Sequence, residues 1–137
     1  MLVYVPLINN GELECIEQHK PFKCVVLISE AVSDSWQKTV STWLVASECL
    51  YMMAWGDNCS SWDDSVNVAN IEAFDFDKIP EDEFVMTTWH EGEPLEDVFH
   101  YAKYSANHGA VELQNLIVLD IGKSGRETQL RALFDKV

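Results

Sequence analysis

The chain has 137 residues, of which 47% are hydrophobic, and its 23 acidic and 9 basic side chains give a formal net charge of −14. Such a chain is ordinarily one domain with a buried core, and its charge disfavours binding to nucleic acid or to anionic membranes. No apolar stretch approaches the roughly 20 residues of a membrane helix, and the N-terminus lacks a basic signal-peptide region, so we expect a cytoplasmic protein.

The N-terminal segment has the pattern of a strand followed by a turn. Residues 2–8 read LVYVPLI, and Asn9-Asn10-Gly11 is a turn signal. Residues 12–17 alternate polar and apolar side chains, which predicts a return strand and thus a β-hairpin. Pro6 suits an edge strand, because proline has no N–H to donate to a neighbouring strand.

Four continuous apolar runs in the rest of the chain are typical of strands that are covered on both faces. They lie at residues 24–29 (CVVLIS), 51–55 (YMMAW), 84–89 (FVMTTW) and 116–121 (LIVLDI). Since each run is short and is followed by a helical pattern, we expect strands and helices to alternate along the chain.

The helical patterns have recognisable start signals. Apolar residues recur at helical spacing over residues 33–50, where Ser33 or Asp34 can cap the helix. Two segments have the form of a capping box, Ser61 to Asp64 and Ser124 to Glu127. Pro94 is suited to the first turn of another helix, whose apolar face would carry Leu95, Val98, Phe99 and Ala102.

This alternation predicts the fold class. We expect an α/β domain over residues 1–137, with a mostly parallel sheet of four to five strands, helices on both faces and an N-terminal β-hairpin at one edge. In such a sheet, ligands bind beyond the carboxyl ends of the strands, so functional side chains are sought there.

The acidic residues are concentrated in one segment. Residues 57–97 hold thirteen carboxylates and a single basic residue, Lys78, and therefore carry −12 of the net charge of −14. The carboxylates belong to Asp57, Asp63, Asp64, Glu72, Asp75, Asp77, Glu81, Asp82, Glu83, Glu91, Glu93, Glu96 and Asp97. Because apolar residues are interspersed among them, the segment predicts a folded surface with a strong negative field rather than a disordered tail.

Two enzymatic interpretations involve side chains at the predicted strand ends. Asp57, His90, Glu91 and Asp120 together have the oxygen and imidazole groups that ligate a divalent cation, although an acidic loop at 90–91 accounts for two of them. Cys59 with His90 as base is a weaker candidate, because neighbouring carboxylates raise the pKa of a thiol.

The sequence lacks the motifs of other cofactor sites. There is no glycine-rich phosphate loop, and the four cysteines contain no CxxC pair, so we expect free thiols and no cofactor.

The segment from Met86 to Phe99 (MTTWHEGEPLEDVF), with Leu119-Asp120-Ile121 and Arg126-Glu127 after it, resembles a family of small uncharacterised bacterial α/β proteins. The resemblance covers residues 84–137 and implies no activity. In size and acidity the chain is also similar to the immunity proteins of contact-dependent growth inhibition toxin systems. Immunity proteins share no common fold, so this second likeness transfers no residue role.

These observations favour an acidic binding protein that neutralises a basic partner, most consistent with an immunity protein that inhibits a nuclease-type toxin. The expected partner-binding residues are Asp57, Trp62, Asp63, Asp64, Asp75, Asp77, Trp89, Glu91, Glu93 and Asp97. The alternatives are a small metal-dependent enzyme with its site at the strand carboxyl ends, and a non-catalytic regulatory domain.

Overall fold

The computed structural model describes residues 1–137 and contains five β-strands and four α-helices. The strands are β1 (Leu2–Leu7), β2 (Phe22–Ile28), β3 (Cys49–Gly56), β4 (Met86–Trp89) and β5 (Asn115–Ile121). The helices are α1 (Asp34–Ala46), α2 (Ser60–Ala73), α3 (Leu95–Tyr104) and α4 (Glu127–Lys136). None of these helices combines the length and the apolar character that crossing a membrane requires.

All five strands form one parallel sheet in the order β1-β5-β2-β3-β4. The chain steps outward from β2 to β3 to β4, and α1 and α2 cover one face of the sheet. It then returns through α3 and inserts β5 between β1 and β2, so α3 and α4 cover the opposite face. Connections between parallel strands are right-handed. Helices that follow steps in one direction across the sheet therefore cover one face, and helices that follow steps in the reverse direction cover the other face. The predicted α/β class, with helices on both faces, is confirmed.

Two apolar cores lie on the two faces of the sheet. Successive strand residues point to opposite faces, so Val26 packs towards α1 and α2 whereas Val25 packs towards α3 and α4. Trp36 and Trp62 are the large helical side chains of the first core, and Phe99 fills the second. Because helices cover both faces of the sheet, the central strands have apolar residues at consecutive positions.

The predicted N-terminal hairpin is wrong, although β1 does lie at the sheet edge. β1 pairs in parallel with β5, and residues 12–17 form no strand. Two tryptophans of α1 hold this segment instead: Trp36 Nε1 donates to the Gly11 carbonyl oxygen at 3.1 Å, and Trp43 Nε1 donates to that of Glu14 at 3.0 Å. With Ile16 buried in the first core, the segment covers the sheet as a loop.

The helix starts agree with the sequence prediction only in part. Ser33 caps α1, accepting a hydrogen bond from the Trp36 amide at 3.3 Å. Neither predicted capping box is present, because α2 begins at Ser60 and α4 begins at Glu127. Ser61 already lies inside the first turn of α2, where its hydroxyl donates to the Asn58 carbonyl oxygen instead.

Two further boundaries differ from expectation. α1 ends at Ala46 rather than near residue 50, and Cys49 and Leu50 are the buried first residues of β3. Glu48 makes the turn with a positive φ of 66°. Pro94 is the N-cap of α3 rather than a residue of its first turn, while Val98, Phe99 and Ala102 are buried on one face as predicted.

The end of α2 provides a stability prediction. The Phe76 amide donates to the Ile71 carbonyl oxygen and the Asp75 amide to that of Glu72, which is a Schellman motif. Its left-handed position, usually glycine, is Asp75 with φ of 53°. We expect Asp75→Gly to raise the free energy of unfolding by about 1 kcal/mol in urea denaturation.

Asp75→Ala is the matched control for this prediction. It removes the same charge but keeps the Cβ atom that disfavours a positive φ, so we expect a clearly smaller gain from it than from glycine. An equal gain from both variants would assign the effect to charge removal and contradict the backbone explanation.

Candidate functional site

Acidic side chains from four parts of the chain meet at the carboxyl ends of β3 and β4. Asp57 follows β3, Glu91 and Glu93 follow β4, and aspartates occupy the first turns of α2 and α3. We call this surface the carboxyl-end acidic face, which comprises Asp57, Asp63, Asp64, Trp89, Glu91, Glu93 and Asp97. It brings together seven of the ten residues that were predicted to contact a partner.

No lysine or arginine pairs with the carboxylates of this face. Glu93 accepts a hydrogen bond from His90 at 3.1 Å, and Asp63 accepts one from the Thr87 hydroxyl. The other carboxylates of the face take part in none of the five ion pairs of the structure. The positive helix ends stabilise Asp63 and Asp97 without neutralising them. The face therefore carries a largely uncompensated negative charge.

Trp89 is the large apolar side chain of this face. It is the last residue of the edge strand β4 and is 48% exposed. Trp62, in contrast, is 1% exposed and belongs to the core beneath α2, so its assignment as a contact residue is wrong. The physical reason is that α2 turns Trp62, Val66 and Ala69 inward together.

Asp75 and Asp77 lie away from the carboxyl-end acidic face. They follow α2, whose 14 residues span about 20 Å, and so they lie near the amino ends of the strands. Glu81, Asp82 and Glu83 form a short 3-10 helix in the same loop before β4. The acidic segment of the sequence is thus divided between two ends of the molecule.

His90 is buried behind the face rather than displayed on it, being 5% exposed. Its Nδ1–H donates to Glu93 Oε2 at 3.1 Å, and Thr88 Oγ1 lies 2.9 Å from Nε2. Trp55 Nε1 donates to the Glu93 carbonyl oxygen at 2.7 Å, and the ring of Tyr101 packs edge-on against the imidazole. These contacts hold the loop after β4 and orient the Glu93 carboxylate.

The same three groups have the order hydroxyl, imidazole and carboxylate that activates nucleophiles in hydrolases. Thr88, however, lies within strand β4, and none of the five cavities of the structure is lined by Thr88, His90 or Glu93. A nucleophile needs space for its substrate, so we infer that these three side chains position the loop after β4.

The predicted metal-ligand set is not assembled. Asp120 lies on β5 and His90 follows β4, and these two strands are three strand spacings, or about 14 Å, apart. No three acidic, histidine or cysteine side chains of the structure converge to hold a metal ion. Asp120 and His90 instead have separate hydrogen-bond partners, and Cys59 is buried in the core beneath α2.

Asp120 is the centre of a buried charged cluster that the sequence did not reveal. Its carboxylate, with 0% of the residue exposed, accepts hydrogen bonds from Arg126 Nε at 2.8 Å and Nη2 at 2.5 Å. The Tyr4 hydroxyl donates to the same carboxylate at 2.6 Å, and Ser29 Oγ accepts from Arg126 at 3.3 Å. The cluster joins the carboxyl ends of β2 and β5 to β1 and α4.

The cluster changes the acidity of its members. Burial and the hydrogen bond to Asp120 raise the pKa of Tyr4 to about 12, and the hydrogen bond to Asp120 also raises the pKa of Arg126. The one indication of this cluster in the sequence is that Asp120 and Arg126, which have opposite charge, lie six residues apart across a turn. Nothing local to Tyr4 indicates its partner 116 residues away.

The four cysteines are free thiols of unequal exposure. Cys15 is exposed, whereas Cys24, Cys49 and Cys59 are buried, and burial raises the pKa of the Cys24 and Cys49 thiols. Since the thiolate is the reactive form, we expect one equivalent of a thiol reagent to react rapidly with the native protein. The denatured protein should react with four equivalents, and Cys15→Ser should abolish the rapid phase; a second rapid equivalent would contradict this assignment.

Comparison with known proteins places the chain in a family without an assigned activity. The family model described as "Domain of unknown function (DUF7684)" matches residues 2–137, so the chain belongs to this family. The match extends well beyond the C-terminal segment that carries the resemblance to small uncharacterised α/β proteins. No curated protein and no solved structure matches the chain.

Proposed function

We propose that this member of the DUF7684 family is an acidic binding protein that neutralises a basic partner, in the manner of an immunity protein that inhibits a nuclease-type toxin. One observation carries the proposal: a half-exposed tryptophan, Trp89, lies at the carboxyl-end acidic face among carboxylates without cationic neighbours. Charge alone steers association, whereas a tryptophan supplies the desolvated anchor that slows dissociation.

A nuclease is a suitable partner because its active site is cationic. Such a site holds phosphates with lysine and arginine, and an array of carboxylates presents a similar pattern of negative charge. Association between surfaces of opposite charge is accelerated, and partners with like charge are rejected.

The exposed tryptophan provides a separate test of the anchor. We expect Trp89→Ala to raise the dissociation rate about 30-fold, because truncating a hot-spot residue costs about 2 kcal/mol or more, while the association rate stays nearly constant. Surface plasmon resonance with a partner purified by affinity capture on this chain separates the two rates. Tyr104→Ala, which truncates an exposed aromatic residue of α3 outside this face, is the matched control and should change neither rate.

The proposal itself is tested by affinity capture of the tagged protein from its native host at low salt, followed by elution with a salt gradient. We expect one basic protein to elute in a ratio near one to one, and its enzymatic activity to be inhibited by the purified chain. A variant with Asp57, Asp64, Glu91 and Asp97 reversed to lysine should capture clearly less of it and release it at lower salt. Elution without a basic protein would favour a regulatory domain whose acidity serves solubility.

The proposed compartment is the cytoplasm, where four free thiols stay reduced.

A further inference from the structure

An apolar cavity lies at the opposite end of the molecule from the carboxyl-end acidic face. It has a volume of about 520 Å³ and lies between α1 and the C-terminal end of α2, beside the first residues of β3 and Val85, the residue before β4. Its apolar floor is formed by Val45, Leu50, Ala69, Phe74 and Val85, and the exposed Ala46 lies at its rim. This volume is within the range of sites that bind small molecules, about 300–1,000 Å³.

The rim of this cavity is negatively charged. Four carboxylates line it, those of Glu48, Glu72, Asp82 and Glu83, against one lysine, Lys38. Lys38 pairs with Glu72 at 3.6 Å, and Glu48 pairs with Lys20 at 3.0 Å, which leaves Asp82 and Glu83 without a cation. The last residue of α1 and that of α2 also line the cavity, so two negative helix ends lie beside it.

From this combination we infer that the cavity is a binding site for a small organic cation with an apolar body, such as an aromatic or long-chain primary amine. The apolar body occupies the space between α1 and α2, and the ammonium group lies beside Asp82 and Glu83. An anion is repelled by the rim, and a fully hydrated inorganic cation gains nothing from the apolar floor. The site is independent of the proposed partner binding, which uses the other end of the sheet.

The probe for this site is 2-naphthylmethylammonium, and its neutral counterpart is 2-naphthylmethanol. Binding to the full chain is followed by methyl NMR, because Val45, Leu50 and Val85 supply methyl groups within the cavity. We expect saturable shifts at these methyl groups for the amine and affinity about tenfold lower for the alcohol, since a charge-assisted hydrogen bond is lost.

Matched variants separate recognition at the cavity from attraction to the acidic protein as a whole. Asp82→Asn with Glu83→Gln removes the two unpaired rim carboxylates, whereas Asp77→Asn with Glu81→Gln removes two carboxylates of the same loop outside the cavity. Both pairs change the net charge equally. We expect only the first pair to weaken binding by about tenfold. Ala46→Trp, at an exposed position on the rim, should fill the cavity and abolish the methyl shifts.

Three results would overturn the inference. The first is an absence of saturable shifts at the cavity methyl groups, and the second is equal binding of the amine and the alcohol. The third is equal weakening by the two pairs of variants, which would show that the amine follows the total charge. None of these outcomes bears on whether a basic protein binds at Trp89, and failure to capture a partner leaves the cavity measurement unaffected.

Discussion

Asp120→Ala is expected to lower the free energy of unfolding by about 3–5 kcal/mol, because it breaks a buried ion pair by removing one partner. Asp120 is fully buried and accepts two hydrogen bonds from Arg126 and one from Tyr4. Removing the carboxylate leaves a half-buried guanidinium without its counter-charge and a tyrosine hydroxyl without its acceptor. Urea denaturation followed by tryptophan fluorescence measures the loss directly.

Two further variants serve as controls for this prediction. Glu127→Ala breaks the exposed pair with Arg131, which measures 2.7 Å, and should cost less than about 0.5 kcal/mol because exposed ion pairs contribute little. Asp120→Leu combined with Arg126→Met removes both charges and should recover much of the loss, since apolar residues of similar volume often replace a buried pair at small cost. A cost for Asp120→Ala no greater than that of Glu127→Ala would refute the structural role assigned to the cluster.

Reversal of four carboxylates on the carboxyl-end acidic face is expected to slow association with the captured partner by about 100-fold at low salt, within the range of electrostatic steering. Asp57, Asp64, Glu91 and Asp97 are chosen for reversal to lysine. Asp63 and Glu93 are left unchanged because they accept hydrogen bonds from Thr87 and His90 and contribute to local structure. Stopped-flow measurements over a range of salt concentrations provide the rates.

A matched variant tests whether the location of the charge matters. Reversing Asp75, Asp77, Glu81 and Asp82 to lysine changes the net charge by the same amount at the amino end of the sheet. At 0.1 M salt we expect this variant to decrease the association rate clearly less than reversal on the carboxyl-end acidic face does, because screening then limits the field to about 10 Å. Equal effects from the two variants, or a rate that is indifferent to salt, would argue against a binding face at Trp89.

The elements that the sequence predicted well are those whose pattern is local and repeated. The run at 24–29 contains adjacent β-branched and leucine side chains that a strand buried on both faces accommodates, and β2 lies at the centre of the sheet. The face of α3 with Val98, Phe99 and Ala102 follows from the helical period in the same way. The capping boxes failed because helix boundaries depend on the packing of the preceding loop as well as on local residue types.

The candidate site was predicted only in part, for a geometric reason. A run of acids in sequence says nothing about where a helix of 14 residues carries them, and α2 separates Asp75 and Asp77 from the carboxyl-end acidic face. Trp62 and Trp89 are equally apolar in sequence, yet one is in the core and the other is half exposed. His90 likewise pairs with Glu93 rather than with its neighbour Glu91, because the loop after β4 turns back upon it.

The sequence by itself determined the α/β class, the strands and helices in outline and the concentration of negative charge, because these are sums or short-range periodic properties of neighbouring residues. Only the tertiary structure decided the strand order, which puts β5 between β1 and β2 and so joins Tyr4 to Asp120 across the chain. It also decided which acids share a face and where the apolar cavity opens. These features arise from contacts between residues far apart in sequence, and their free energies depend on burial that no local pattern records.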